Sequence, residues 1–209
     1  MSEDWEKQWE RKWAQIPIWW MILWRAYQRL LRGIRLENPE IIELGSGSGR
    51  TTLALTKEYR GRPTLVDSSK AAMVVAKNLF KRENVRALFL CQDISSIDPD
   101  KKFDLVHSEG LIEHFSDTEL DRMVKLHANL VKTSGYVIIF VPTPSTTYKI
   151  WRILQEMFGI WYYGEEKPLT SQQLVRLCQK NGLVPIRTTK TPFQTGILAT
   201  KATKTLEEF

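Results

Sequence analysis

At 209 residues, with 43% hydrophobic and 26% charged residues, the chain has the size and make-up of one ordinary globular domain with modest additions. Two cysteines far apart, Cys91 and Cys178, exclude a disulfide framework and a cysteine-built metal cluster, so a metal-free protein in a reducing, cytoplasmic setting is expected. The net charge of +6 is too small to establish nucleic-acid binding, and the sequence reads as having neither an export signal nor a run of the ~20 apolar residues needed to span a bilayer.

Residues 2–36 read as helical. Ser2 can cap the start, with Glu3 and Asp4 in the first turn. Trp5, Trp9, Trp13 and Ile16 recur at helical spacing, with charges of both signs between them. Pro17 interrupts the pattern, which resumes from Ile18 to Leu31 with Arg25, Arg29 and Arg32 as a basic stripe and Gly33 as a stop. Six of the eight tryptophans lie in this arm (residues 1–36). Three roles stay open: packing on the domain, closing over a ligand or an apolar substrate pocket, or resting on a membrane surface. The mixed charges around Trp5–Trp13 favour the lid, since a membrane-surface helix carries mostly lysine and arginine on its polar face.

Residues 37–209 read as one α/β domain. Ile41, Ile42 and Leu44 suit a short strand buried on both faces, with the acid Glu43 near its end. Gly45-Ser46-Gly47-Ser48-Gly49 follows, then a helix to Tyr59. Strand, glycine turn and helix start make a nucleotide-sized site lined by amide N–H groups. Dinucleotide enzymes show G-x-G-x-x-G and phosphate loops carry a lysine after the last glycine; neither pattern is present. An acid at Glu43 would repel a pyrophosphate and suits a cationic ligand. The string Glu43 to Gly49, E-x-G-x-G-x-G, resembles motif I of the class I S-adenosylmethionine-dependent methyltransferases, whose cofactor carries an ammonium, a sulfonium and no phosphate. The resemblance implies that cofactor, with contacts from Glu43, Gly45, Ser46, Gly47 and Gly49.

The second strand, Pro63–Val66, ends at Asp67 with Ser68 beside it. Asp67 lies 22 residues after Gly45, close to the ~20-residue interval at which an acid meets ribose hydroxyls. A helix cap is the competing role. A helix over Ser69–Lys81 turns Ala72, Val75, Ala76 and Leu79 inward. The third strand, Val85–Cys91, leads to Asp93-Ile94, which by the resemblance contact the adenine; a loop aspartate bonded to its own backbone is the alternative. The fourth strand, Phe103–His107, opens into Ser108-Glu109-Gly110-Leu111-Ile112-Glu113-His114-Phe115, similar to the small-molecule members of the family. Ser108, Glu109 and Gly110 join the cofactor site on that ground. His114, at the mouth, is the one histidine nominated as a general base, against a role ordering the loop with Glu113; His107 and His127 read as packed.

A helix over Asp117–Val131 (Leu120, Met123, Val124, Leu126 and Leu130 inward) precedes the fifth strand, Gly135–Val141. Residues 142–168 are too long for a simple connection and read as a cap, with a helix over Thr146–Phe158 placing Trp151, Leu154 and Phe158 on one face, then Trp161-Tyr162-Tyr163. Thr170 caps a helix over Ser171–Lys180, and Leu183–Lys190 and Phe193–Lys201 close the chain as a hairpin. The expectation is a doubly wound, mostly parallel seven-stranded sheet with a C-terminal antiparallel hairpin, a helical arm and a cap. Function is expected to be methyl transfer from S-adenosylmethionine to an O, N, S or C atom of a small apolar or aromatic acceptor. The alternative is an enzyme or non-catalytic cofactor-binding subunit acting on RNA, protein or a membrane lipid. Peripheral membrane contact through the arm stays open, as does the oligomeric state.

Overall fold

The computed structural model describes residues 17–161 and 164–201. Ser2, the Trp5–Trp13 stripe, Tyr162 and Tyr163 therefore lie outside the described residues. Seven strands, β1 (Glu40–Leu44), β2 (Arg62–Asp67), β3 (Leu88–Cys91), β4 (Phe103–Glu109), β5 (Val131–Pro142), β6 (Leu183–Lys190) and β7 (Gln194–Lys201), make one sheet ordered β3-β2-β1-β4-β5-β7-β6. Its neighbours are parallel except at β7, which runs antiparallel to both β5 and β6. The helices are α1 (Pro17–Leu31), α2 (Arg50–Tyr59), α3 (Lys70–Arg82), α4 (Asp117–Leu130), α5 (Thr146–Met157) and α6 (Ser171–Lys180). This is the expected doubly wound sheet.

The two-residue period of the strands divides the core. Ile41, Leu105 and Ile138 face α1, where Ala26, Tyr27 and Leu30 are fully buried. Ile42, Val106 and Ile139 face the other way, onto Val124, Ala128 and Leu174 of α4 and α6. Because the central strands are covered on both sides, their polar side chains can lie only at strand ends or in satisfied buried pairs. Both cases occur at the site.

Some expectations need refinement. In α3, Ala72 and Ala76 are buried with Met73 and Phe80, and Leu79 packs half-buried against that cluster; Val75 is half-buried and outside it. The helix is turned by Phe80, whose ring meets Phe89 edge-on at 5.5 Å. In α4, Val124 and Leu130 are buried and Leu120, Met123 and Leu126 pack half-buried against the same core, as expected; His127 and Ala128 join them on the inner face. In α5 the inward residue is Tyr148, whose hydroxyl donates to Glu166 Oε2 at 2.6 Å. Trp151, Leu154 and Phe158, read as one face, have different surroundings: Leu154 and Phe158 are 47% and 73% exposed, whereas the Trp151 ring meets Phe193 at 5.7 Å. The fifth strand also starts earlier than its glycine suggests, because α4 runs straight into Val131, which pairs with Phe103 before a register shift.

Candidate functional site

The glycine loop sits at the carboxyl end of β1. Gly45, Gly47 and Gly49 all have positive φ, at 66°, 49° and 66°. At Gly49 a Cβ would lie 2.2 Å from Leu65 Cδ2 in the core, so the position is closed to a side chain twice over. Ser46 N donates to Val66 O at 2.9 Å, and Gly49 N to Ser46 O at 2.8 Å. Asp67 Oδ2 accepts from Gly47 N at 2.8 Å, while Oδ1 accepts from Ser69 N at 2.9 Å. The carboxylate at the end of β2 thus braces the loop as well as the start of α3, where Ser69 Oγ accepts from Ala72 N. Ser68 is exposed beside it.

Beneath the loop lies a buried polar chain joining four elements. Glu43 Oε2 accepts from Thr52 Oγ1 at 2.5 Å. The same hydroxyl lies 2.9 Å from His107 Nε2, and His107 Nδ1 lies 3.1 Å from the Tyr27 hydroxyl. If Thr52 donates to Glu43, it accepts from His107 Nε2–H, and Nδ1 is left to accept from Tyr27 O–H; this tautomer is assigned from the network. Burial, then the charge of His127, depresses the His107 pKa to about 3, so the ring is neutral.

Glu109, at the end of β4, closes the group. Donor atoms of Glu43, His107 and Glu109 all lie within 4.8 Å of one another. Burial raises Glu109 to about 7. Burial, and next the Glu109 charge, holds Glu43 well above the usual carboxylate range. Two carboxylates in one enclosed place repel each other and call for a cation between them. Glu109 Oε1 and Ser46 Oγ are buried without a hydrogen-bond partner in the structure. Glu109 ends β4, and Ser46 lies in the loop itself.

The other nominated residues divide. Gly110, with φ 60°, donates its N–H to Phe140 O at 3.0 Å and turns the chain away from β4. Ser108 points inward, its hydroxyl 2.9 Å from His127 Nε2. Ile94 is buried, but Asp93 Oδ1 accepts from Ser95 N at 2.8 Å and Ser95 Oγ at 2.6 Å, the local turn that was the alternative reading. His114 Nδ1 lies 3.2 Å from Glu165 O and its Nε2 3.9 Å from Glu113 Oε1, so the ring ties the β4 loop to the cap. Burial lowers its pKa. Glu113 is itself buried, with both carboxylate oxygens lacking a hydrogen-bond partner, and burial keeps it protonated far above the usual range.

Sequence reasoning missed Tyr27 and Thr52, and read His107 and His127 as packing alone. Both histidines are buried, yet both rings are hydrogen-bonded into the strand ends. An aromatic wall stands beside this centre. Trp20 and Trp24 stack at 6.0 Å, and the Arg50 guanidinium lies 5.9 Å from the Trp20 ring. Phe193 packs between Trp19 at 4.6 Å and Trp151 at 5.7 Å, joining α1 to the cap.

Residues 41–135 match the family described as methyltransferase domain. The chain is 32% identical over 117 residues to a ubiquinone biosynthesis O-methyltransferase of Coxiella burnetii, covering 56% of this chain and 48% of that protein. It is 32% identical over 105 residues to phosphoethanolamine N-methyltransferase 1 of Zea mays, covering 48% and 20%. The matched stretch thus spans about half the length of the first relatives, or less. Among solved structures, an S-adenosylmethionine-dependent methyltransferase from Clostridium acetobutylicum superposes with a TM-score of 0.70 at 16% identity, covering 91% of this chain and 94% of that one. A magnesium protoporphyrin IX methyltransferase from Synechocystis with bound S-adenosylhomocysteine gives 0.66 at 14% identity, covering 95% and 84%.

Proposed function

We propose that this chain, which carries a methyltransferase domain over residues 41–135 on a class I, Rossmann-like sheet, is an enzyme that moves a methyl group from S-adenosylmethionine to a small apolar or aromatic acceptor. The observation that carries the reading is the Glu43–Glu109 pair. Two enclosed carboxylates beside an amide-lined glycine loop form a seat for a ligand that is cationic at one end, and they would reject a phosphate. The unpartnered Ser46 Oγ and Glu109 Oε1 fit a ligand with hydrogen-bonding groups at the same place.

When bound, the cofactor supplies a methyl group already activated on a sulfonium. The protein's own work is then to position and to exclude water. Glu43 and Glu109 would hold the ammonium end, and Gly45, Gly47 and Gly49 would let the backbone approach. Asp67 and Ser68 stand at the ribose position, and Ile94 with Asp93 at the adenine position. Asp67 keeps its brace to Gly47 while facing the ribose, whereas Asp93 would have to share its carboxylate with Ser95. Ser108 and Gly110 shape the floor. His114 is the candidate base for an acceptor that must lose a proton.

The relatives support a small acceptor, since their names concern ubiquinone biosynthesis and phosphoethanolamine. The aromatic wall of Trp20, Trp24 and Trp151 suits an apolar or planar one. A thermal-shift series tests the cofactor: S-adenosylmethionine and S-adenosylhomocysteine should raise the melting temperature, and NAD and ATP should not. A shift with NAD and none with S-adenosylhomocysteine would sink the reading.

A further inference from the structure

We propose that α5 is an interfacial helix that seats the cap on an anionic lipid surface. The proposal is independent of the cofactor assignment. A helix lying on a protein normally turns its apolar residues inward. In α5 the order is reversed. Ile150, Ile153, Leu154 and Met157 follow the i, i+3, i+4, i+7 spacing of one helical face, and they are 55%, 54%, 47% and 73% exposed. Phe158, 73% exposed, and Ile160 continue the surface past the helix end. Tyr148, Trp151 and Arg152 take the opposite side: the Tyr148 hydroxyl donates to Glu166, the Arg152 guanidinium lies 4.9 Å from the Trp161 ring, and the Trp151 ring meets Phe193 at 5.7 Å.

Charge selects the occupant. The Phe193 ring joins Trp151 of the cap to Trp19 of α1, so the apolar surface continues onto that helix, where Met21 is 49% exposed. Arg25 and Arg29 of α1 and Arg32 just past its end are exposed, and Pro17–Leu31 contains no acid. On α5, Lys149 is exposed, and the one acid, Glu156, is neutralised by Arg152 at 2.8 Å. Exposed leucine, isoleucine, methionine and phenylalanine rimmed by Arg25, Arg29, Arg32 and Lys149, which form no ion pair among the described residues, match the two attractions of a negatively charged bilayer, burial in the headgroup boundary and counter-charge. At 12 residues, α5 is ~18 Å long, so it lies in the interface plane and cannot cross. No helix among the described residues is long and apolar enough to span a membrane. The cap borders the mouth of the site, so docking would open the site towards molecules dissolved in the bilayer.

The test is co-sedimentation of the full chain with phosphatidylcholine vesicles, with and without phosphatidylserine. The protein should pellet with the anionic vesicles, at least tenfold more weakly with phosphatidylcholine alone, and less as salt rises. Met157→Ser with Phe158→Ser should reduce binding at least tenfold with an unchanged melting temperature, and Arg25→Gln with Arg32→Gln should remove the preference for anionic lipid. A chain lacking residues 1–16 should still bind. The proposal fails if the full chain ignores anionic vesicles, or if binding is lost with residues 1–16 and indifferent to the α5 changes. It also fails if the protein is a dimer in solution that the α5 substitutions split, for then a second copy covers the face.

Discussion

The hydroxyl of Tyr27, on the helix that precedes the sheet, lies 3.1 Å from Nδ1 of His107 in β4, and both side chains are fully buried. Eighty residues separate them in the sequence, yet together with Thr52 they connect α1 to the acid of the glycine loop. Tyr27→Phe keeps the ring and removes the donor, leaving a buried imidazole nitrogen without a partner. The expected loss is ~1–3 kcal/mol of stability by denaturant unfolding. The nitrogen-15 shifts of His107 should also change as Nδ1 loses its bond. Unaltered histidine shifts would show that the tyrosine only fills space.

Glu109 should make cofactor binding depend on pH. Burial raises its pKa to about 7, so below that pH the free protein carries a neutral acid where an ammonium group must bind. Binding then releases a proton, and affinity for S-adenosylhomocysteine should rise from pH 6 to pH 8, by up to about tenfold per unit on the acid side. Calorimetry in buffers of different ionisation enthalpy should detect the released proton. Glu109→Gln should bind more weakly and with a flatter profile. A flat profile in the unaltered protein would remove Glu109 from the site.

Asp67 is predicted to serve the ribose and the loop together. Its hydrogen bonds to backbone N–H groups are charge-assisted and worth ~1.5–3 kcal/mol each. Asp67→Ala should lower cofactor affinity at least tenfold and cost some stability as well, because Gly47 N and Ser69 N both lose their acceptor. Asp67→Asn retains an acceptor for one of them, so its stability should lie between the two. Unchanged affinity by calorimetry would reduce Asp67 to a brace.

His127 supplies a separate pH signal. Burial holds its folded pKa at about 4, below the ~6.5 of an unfolded chain. The unfolded state therefore binds the extra proton first, and this histidine's contribution to stability is lost as pH falls from 6.5 towards 4, at up to ~1.4 kcal/mol per unit. His127→Gln removes that term. The variant should be less stable than the parent at pH 7, because Ser108 Oγ and Met123 O lose their partner. The gap should narrow as pH falls to 4.5. A gap constant with pH would mean that His127 titrates in the folded protein as it does in the unfolded chain.

The strand ends were legible because they depend on local chemistry: glycines at alternate positions, an acid after an apolar run, a proline after the fifth strand. Their order along the chain placed Glu43, Asp67, Asp93 and Glu109 at the carboxyl ends of four strands of the same sheet, as observed. What the acids touch was not legible, because each partner comes from another element. Asp67 meets Gly47 and Glu109 meets Glu43 through the folding of the sheet. The orientation of α5 was not legible for a related reason. A periodic apolar stripe states that a helix has two faces, and it does not state which one the protein covers.

The position of β7 bears on how the protein reaches this state. It comes after β6 in the sequence but lies inside the sheet, between β5 and β6, with Ile197, Leu198 and Ala199 fully buried. Before it enters, β5 presents an open row of peptide groups, and β6 has no neighbour at all. Synthesis from the amino end therefore leaves a nascent protein with a gap that only residues 194–201 can fill, and insertion brings Gln194 onto Pro142 and Thr200 onto Tyr136 across more than fifty residues of chain. Such a closing step is slow for reasons of chain entropy. Until it occurs, a second unfinished molecule offering the same strand can occupy the gap, which makes strand exchange through β7 the characteristic misfolding hazard of this architecture.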